Sequence, residues 1–293
     1  MPAKKNTAIV SLLVGAFVWG LIWQPYRVLE QAGLSAILAA TLTYLVAFVL
    51  GWIVLRRRLL GLRPSWLLLA IALAGGGCNM GYVLATVHGV VMRVLLLFYL
   101  APLWTVLLSR LMLGERLTAS GAGVVALSLC GAIAMLWQPS FGLPLPQNVA
   151  EWTGLAAGFL FALTNVLIRK TAHLTIEVKS MAVFAGVIVL GLMLLPFEPL
   201  NVTSLAEPLV WSRVLLVGVV LLAVNLVVQF GLTHTPANQA IVIFLFELVV
   251  AAISSWLLAG EAMGIKEWLG GAMIVSASLF SGRLEQAHSR MNA

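Results

Sequence analysis

The sequence predicts an all-α integral membrane protein of ten transmembrane helices, arranged as two inverted five-helix repeats. Three observations predict this fold class. Hydrophobic residues make up 62% of the 293 residues and charged residues only 9%, whereas about 25% of a soluble domain is charged. Most apolar runs are long enough to cross a bilayer core of about 30 Å as helices, and they lack the strand alternation of an outer-membrane barrel. An apolar stretch that stops at Gly-Glu occurs twice, at 98–115 and 242–261.

The apolar runs define the ten helices in order. Their approximate ranges are 7–24, 34–55, 66–86, 90–110, 120–137, 152–169, 180–196, 211–232, 237–259 and 266–282. The first run follows Lys4 and Lys5, as in a signal peptide. It contains Trp19 and Trp23 and no small-residue cleavage site follows it, so the sequence predicts a retained first helix.

The positive charges predict the orientation of these helices. Thirteen of the 17 Lys and Arg residues fall at the span ends that share a side with the termini. The other four are Arg27, Arg93, Arg213 and Lys266. Because basic residues are enriched in cytoplasmic loops, both termini are predicted to be cytoplasmic. The net charge of +7 then reports topology rather than nucleic-acid binding.

The repeat has a constant offset of 146 residues, the separation of Glu115 and Glu261. The same offset pairs Asn79 with Asn225, His88 with His234, and Phe98 with Phe244. Five spans per repeat is an odd number, so the second copy enters the membrane from the opposite side, and alternating access follows. The predicted boundaries are a first repeat at 1–138, an outer linker rich in Pro and Gly at 139–151, and a second repeat at 152–293.

Polar side chains within the spans are the candidate substrate-binding residues, because they are costly in hydrocarbon. They occur in spans three, four, six, eight and nine, with a tryptophan in span one, and we expect them to line one central cavity between the repeats. Structural hydrogen bonds between helices are the alternative. The candidates are Trp19, Asn79, Tyr82, Tyr99, Asn165, Asn225, Gln229 and Gln239.

Two further residues are singled out. Pro102 cannot donate a hydrogen bond to the carbonyl of Phe98, so it predicts a hinge in span four that frees this carbonyl toward a ligand. Its counterpart in the second repeat is Leu248. Glu247 is the acidic residue placed in mid-membrane, where it either carries a proton or plays a structural role.

The sequence lacks the residues that phosphate, lipophilic-cation, metal and catalytic sites require. The spans contain no Lys or Arg cluster to hold phosphate, and span one has no carboxylate to neutralise a lipophilic cation. No pattern of metal-ligand spacing and no catalytic motif is found, so neither a metal, a cofactor nor an enzyme activity is predicted.

These features resemble the EamA repeat of the drug/metabolite transporter superfamily. The spacing from Pro102 to Glu115 matches that repeat, whereas Phe246-Glu247-Leu248 replaces the common Leu-Glu-Pro. Trp19-Gly20, Asn79 with Tyr82, and Tyr99 before Pro102 are most similar to the YddG-type exporters of aromatic and other neutral amino acids. The resemblance implies ten helices in two inverted halves around a central cavity. It also implies that this cavity is lined by the eight candidates given above.

The sequence therefore predicts an exporter of neutral, chiefly aromatic, amino acids in a bacterial cytoplasmic membrane. It is expected to work as a monomer surrounded by lipid, with a small-molecule substrate and no nucleic acid. A proton-coupled exporter of other small metabolites or drugs is the main alternative. A membrane-embedded lipid enzyme and a passive channel are the others, although the spans offer neither paired acids nor a nucleophile with a base.

Overall fold

The computed structural model describes residues 2–59, 65–138, 145–197, 206–259 and 263–291. Within these ranges the chain forms thirteen α-helices and no strand. The helices are α1 (Pro2–Leu21), α2 (Trp23–Gln31), α3 (Ala36–Leu59), α4 (Trp66–His88), α5 (Val91–Phe98), α6 (Ala101–Leu113), α7 (Ala119–Leu136), α8 (Val149–Lys170), α9 (Ile176–Leu194), α10 (Pro208–His234), α11 (Ala237–Phe244), α12 (Phe246–Ala259) and α13 (Ile265–Met291).

Nine segments of the described chain are long and apolar enough to cross a membrane. Six consist of one long helix each, namely α3, α4, α7, α8, α9 and α10. The other three are formed by consecutive helices, α1 with α2, α5 with α6, and α11 with α12. The tenth predicted span, 266–282, falls in α13 and stays a prediction. These nine segments make the chain a multi-pass membrane protein.

Two of the paired segments break at equivalent positions of the repeat. The first break lies at Tyr99 and Leu100, just before Pro102, which occupies the first turn of α6. The second lies at Leu245, which is 146 residues after Tyr99. Leu248 stands in the second copy where the first has Pro102. The helix therefore breaks in both copies although only one of them has the proline, while movement about Pro102 stays a prediction.

Close contacts at glycines set the distances between several helices. A Cβ on Gly186 of α9 would lie 1.8 Å from the carbonyl oxygen of Ala72, so α4 and α9 touch through their backbones. A Cβ on Gly158 of α8 would lie 2.4 Å from the carbonyl oxygen of Phe98. The carbonyl that Pro102 leaves without its helical partner therefore packs against α8. The expectation that it faces a ligand was wrong in this structure.

The helices pack mainly across the two halves of the chain. α1 packs against α10 and α12, whereas α8 packs against α4 and α6. α3 lies along α9, and α7 lies along α13. The largest apolar cluster combines Tyr44, Ile71, Phe184 and Leu221, which come from four helices of both halves. The polar candidates of both halves are thereby brought into one bundle.

The Gly-Glu pair of the first repeat ends α6 and connects the halves. Gly114 has a φ of 70°, a conformation that favours glycine, and the N–H of Glu115 donates to the carbonyl of Ser109. The Glu115 carboxylate then accepts a hydrogen bond from the N–H of Ala237 at 3.0 Å, at the first residue of α11. The equivalent Glu261 lies outside the described residues.

Candidate functional site

Asn79 is held on α4 by two hydrogen bonds. Its Oδ1 accepts from the hydroxyl of Tyr44 on α3 at 2.8 Å, and its Nδ2 donates to the carbonyl of Gly75 at 2.8 Å. Both ends of the amide therefore have partners within the protein. Tyr44 was not among the sequence candidates, because only the fold places α3 beside this turn of α4.

Tyr99 and Glu247 meet where two broken helices face each other. The Tyr99 hydroxyl donates to Oε1 of Glu247 at 2.5 Å. Tyr99 belongs to the connection between α5 and α6, and Glu247 to the first turn of α12, two residues after the second break. This hydrogen bond links the breaks of the two halves, and Glu247 remains partly accessible.

A row of aromatic rings crosses the centre of the bundle. The ring of Phe98 lies 5.1 Å from that of Tyr82 and 5.2 Å from that of Tyr99. Phe161 of α8 lies 5.5 Å from Phe98 and 5.7 Å from Phe244. Phe98 and Phe244 are equivalent residues of the two repeats, so Phe161 bridges them. Its helical spacing from Asn165 is the signal that could have added it to the candidates.

Three candidate amides are buried with a polar atom that has no hydrogen-bond partner among the described residues. They are Nδ2 of Asn165, Nδ2 of Asn225 and Oε1 of Gln229. The three residues are between 1% and 7% exposed. A buried polar group without a partner costs about 1–3 kcal/mol, so each of these atoms favours a partner that the described residues do not supply.

A contact between the ends of α8 and α10 indicates that Asn165 and Gln229 lie at a similar depth in the bundle. Nη1 of Arg169 donates to the carbonyl of Thr233 at 2.6 Å. Four residues earlier on each helix stand Asn165 and Gln229, and eight residues earlier stand Phe161 and Asn225. In the chain α9 connects α8 to α10 and runs back across the bundle, so α8 and α10 run in the same direction. Residues equally far from Arg169 and Thr233 therefore lie at a similar depth. Trp19 of α1 and Phe161 pack in the apolar cluster that contains Val224 and Val228 of α10.

Gln239 lies apart from these amides, in a cleft of about 400 Å³ at the C-terminal end of α8. The polar lining includes Glu115, Arg169 and Asn238. The guanidinium of Arg169 lies 3.7 Å from the carboxylate of Glu115. Burial raises the pKa of Glu115, and the charge of Arg169 and the hydrogen bonds from α11 oppose this rise.

The opposite end of α8 is held by a buried ion pair. Nε of Arg93 lies 2.8 Å from Oε1 of Glu151, and its Nη2 lies 3.0 Å from Oε2. Asn148 caps α8 by accepting from the N–H of Glu151 at 2.9 Å. In the part of the chain that the structure describes, no group of three or more His, Cys, Asp or Glu residues could hold a metal ion.

Comparisons with known proteins agree with this architecture. The model of the EamA-like transporter family matches the chain twice, at residues 6–137 and 148–283. A solved structure has a TM-score of 0.75 at 20% identity and covers 94% of this chain and 98% of that one, so the two share a fold.

Three relatives are similar over most of their length. A riboflavin transporter of Brucella anthropi is 24% identical over 276 residues, which are 89% of this chain and 92% of that protein. An uncharacterized transporter of Archaeoglobus fulgidus is 26% identical over 224 residues, 75% of this chain and 78% of the relative. Protein RarD of Salmonella typhi is 26% identical over 216 residues, 71% and 68% of the two chains. With both halves matched by the family model, the chain belongs to the EamA-like transporter family and is a membrane transporter.

Proposed function

We propose that this protein exports neutral, chiefly aromatic, amino acids across a bacterial cytoplasmic membrane. The observation that carries the proposal is the set of three unpartnered amide atoms on α8 and α10. Asn165 and Asn225 offer two N–H donors, which suit the substrate carboxylate, and Oε1 of Gln229 offers an acceptor for the substrate ammonium. The two donors and the acceptor together complement the head group of an amino-acid zwitterion.

The aromatic row supplies the surface for the substrate side chain. Phe161 lies one helical turn before Asn165, and its ring contacts those of Phe98 and Phe244. An aromatic side chain placed against these rings gains apolar burial and edge-to-face contacts. In this arrangement Trp19, Tyr82, Tyr99 and Asn79 form the other walls of the central cavity, and Gln239 lies on the path that leads to it.

Alternating access requires the inverted repeat, which several features support. The two helix breaks and the two family-model matches follow the repeat. The contacts of α1 with α10 and α12 mirror those of α8 with α4 and α6. We therefore propose ten helices, with α13 as the last span, cytoplasmic termini, repeats at 1–138 and 152–293 joined by 139–151, and a monomer that hinges near Pro102.

Counterflow in proteoliposomes tests the substrate. Vesicles preloaded with unlabelled tryptophan should transiently accumulate labelled tryptophan, and other neutral amino acids should compete. Asn165→Leu and Asn225→Leu should reduce accumulation at equal protein content, because each removes a donor. Ser212→Ala, an exposed change on α10, is the matched control. Absence of accumulation with folded wild-type protein would overturn the amino-acid proposal and leave the transporter fold standing.

Export of other small metabolites coupled to protons is the second candidate, and the contact between Tyr99 and Glu247 favours it. This carboxylate lies between the two helix breaks, where a proton could alter how they are joined. One relative is named a riboflavin transporter, so riboflavin is the informative competitor. Glu247→Gln should abolish any stimulation by a pH gradient if Glu247 carries the proton. An unchanged response would assign Glu247 to structure.

A further inference from the structure

Lys179 of α9 carries a fully buried positive charge. Its exposed fraction is 0%, the lowest of any charged side chain in the described chain. Its Nζ donates to the hydroxyl of Thr233, and to the carbonyl of Ile168 at 3.4 Å. The Thr233 hydroxyl in turn donates to the carbonyl of Gln229 at 2.6 Å. The ammonium is therefore fixed between the ends of α8 and α10 by neutral acceptors.

No carboxylate pairs with Lys179 among the residues that the structure describes. Glu177, two residues earlier on α9, is bonded to Arg58. Glu115, at the same end of the bundle, pairs with Arg169 and caps α11. A buried charge that lacks a counter-ion is strongly disfavoured inside a membrane protein. The position therefore favours an anionic group that arrives from outside the chain.

The unpartnered atoms of Asn165 and Gln229 lie about one helical turn from this charge, and that of Asn225 lies about two turns away. Ile168, whose carbonyl accepts from Lys179, follows Asn165 by three residues. Thr233 follows Gln229 by four residues. One turn corresponds to about 5.4 Å along a helix, so an anion held by Asn165 would lie within about 8 Å of the ammonium.

We propose that Lys179 determines specificity for a substrate carboxylate, by supplying the positive charge behind the amide of Asn165, the nearer of the two donors. This inference rests on the proposed function and deepens it. The amides donate the hydrogen bonds, whereas Lys179 acts through space and keeps its own bonds to Thr233 and Ile168. At about 8 Å, and at the effective dielectric of about 20 that suits protein sites, one unit charge changes anion binding by about 30-fold.

The test compares ligands that differ in the carboxylate. Unlabelled tryptophan, tryptophan methyl ester and tryptamine compete with labelled tryptophan in counterflow, and the half-inhibitory concentrations are measured. In the wild type, tryptophan should compete about 30-fold better than the two compounds without a free carboxylate. In Lys179→Met this advantage should fall by about 30-fold, to near parity, while Lys179→Arg should retain it. Lys170→Met removes an exposed cation at the C-terminal end of α8 and should leave the ratio unchanged.

Each outcome decides the inference. A tryptophan advantage unchanged in Lys179→Met would overturn it and leave the proposed function standing. Absence of wild-type tryptophan counterflow would overturn both. If Lys179→Met does not fold, Lys179→Gln replaces it, because its amide keeps a donor for Thr233. The same loss of the tryptophan advantage is expected in this variant. The thermal stability of the wild type provides an independent readout, since tryptophan should raise the unfolding temperature more than tryptamine does. An equal effect of the two ligands would contradict the role of Lys179.

Discussion

The ion pair between Arg93 and Glu151 should be a large local contribution to stability, and a double-mutant cycle can measure it. The perturbations are Arg93→Met, Glu151→Gln and the double variant. The pair is bidentate, with nitrogen–oxygen distances of 2.8 and 3.0 Å, and the two side chains are 9% and 2% exposed. It joins the first turn of α5 to the first turn of α8, and therefore the two halves of the chain.

The magnitude follows from this burial. Removing one partner of a buried pair leaves the other charge without compensation and costs about 3–5 kcal/mol. Glu151 would keep hydrogen bonds from the N–H of Gln147 and the amide of Asn148, so Arg93→Met should fall at the lower end of that range. The double variant leaves no isolated charge. It should therefore be more stable than the sum of the single changes predicts, by at least about 2 kcal/mol.

The assay is equilibrium unfolding of the purified protein in mixed micelles, followed by tryptophan fluorescence. Lys266 and Glu267 provide the control, since they form a solvent-accessible pair at 3.5 Å, with side chains 45% and 22% exposed, and such pairs contribute about 0–1 kcal/mol. A coupling free energy no larger for Arg93 and Glu151 than for this control would refute the reasoning. It would mean that water or lipid head groups solvate the pair.

Three further predictions concern packing, hydrogen bonding and pH. Gly186→Ala should abolish folded protein in size-exclusion profiles, because its Cβ would lie 1.8 Å from a backbone oxygen, whereas Gly123→Ala, with nothing within 4 Å, should be tolerated. Tyr44→Phe should lower the free energy of unfolding by about 1–3 kcal/mol, because Oδ1 of Asn79 loses its donor; no loss in denaturant titrations would contradict this. Burial raises the pKa of Glu115, so the folded protein binds this proton more tightly than the unfolded chain does. The free energy of unfolding of the wild type, relative to that of Glu115→Gln, should therefore rise as pH falls from neutral. It should level off below pH 4.5, the ordinary pKa of a glutamate; a decrease over this range would contradict the prediction.

The sequence alone predicts the helical membrane fold well, because span length and hydrophobicity are local properties of the chain. The break beside Pro102 was also visible, since proline removes a backbone donor. The break at Leu245 could be inferred only from the repeat offset, because nothing in its own residues disrupts a helix. It follows that tertiary packing, rather than local propensity, breaks the second helix.

The partners of the polar residues could not be predicted in the same way. Tyr44 reaches Asn79 from 35 positions away in the chain, and Tyr99 reaches Glu247 from 148 positions away. From the sequence Lys179 is one of the basic residues at a span end, whereas the fold buries it completely. Such contacts depend on the rotation of each helix about its axis. An apolar span with few polar residues gives little sequence information about this rotation.

The packing between halves has a consequence for how the chain is built. α1 and α4 bury their faces against α10 and α8, and the carboxylate of Glu115 begins a helix more than 120 residues away. Neither half therefore encloses a core of its own. Two separate polypeptides, one ending at residue 138 and one starting at 145, would have to assemble to become stable, as the subunits of an obligate dimer do. The connection between the halves then serves chiefly to keep the two partners at equal numbers, while the recognition between them resides in the helices.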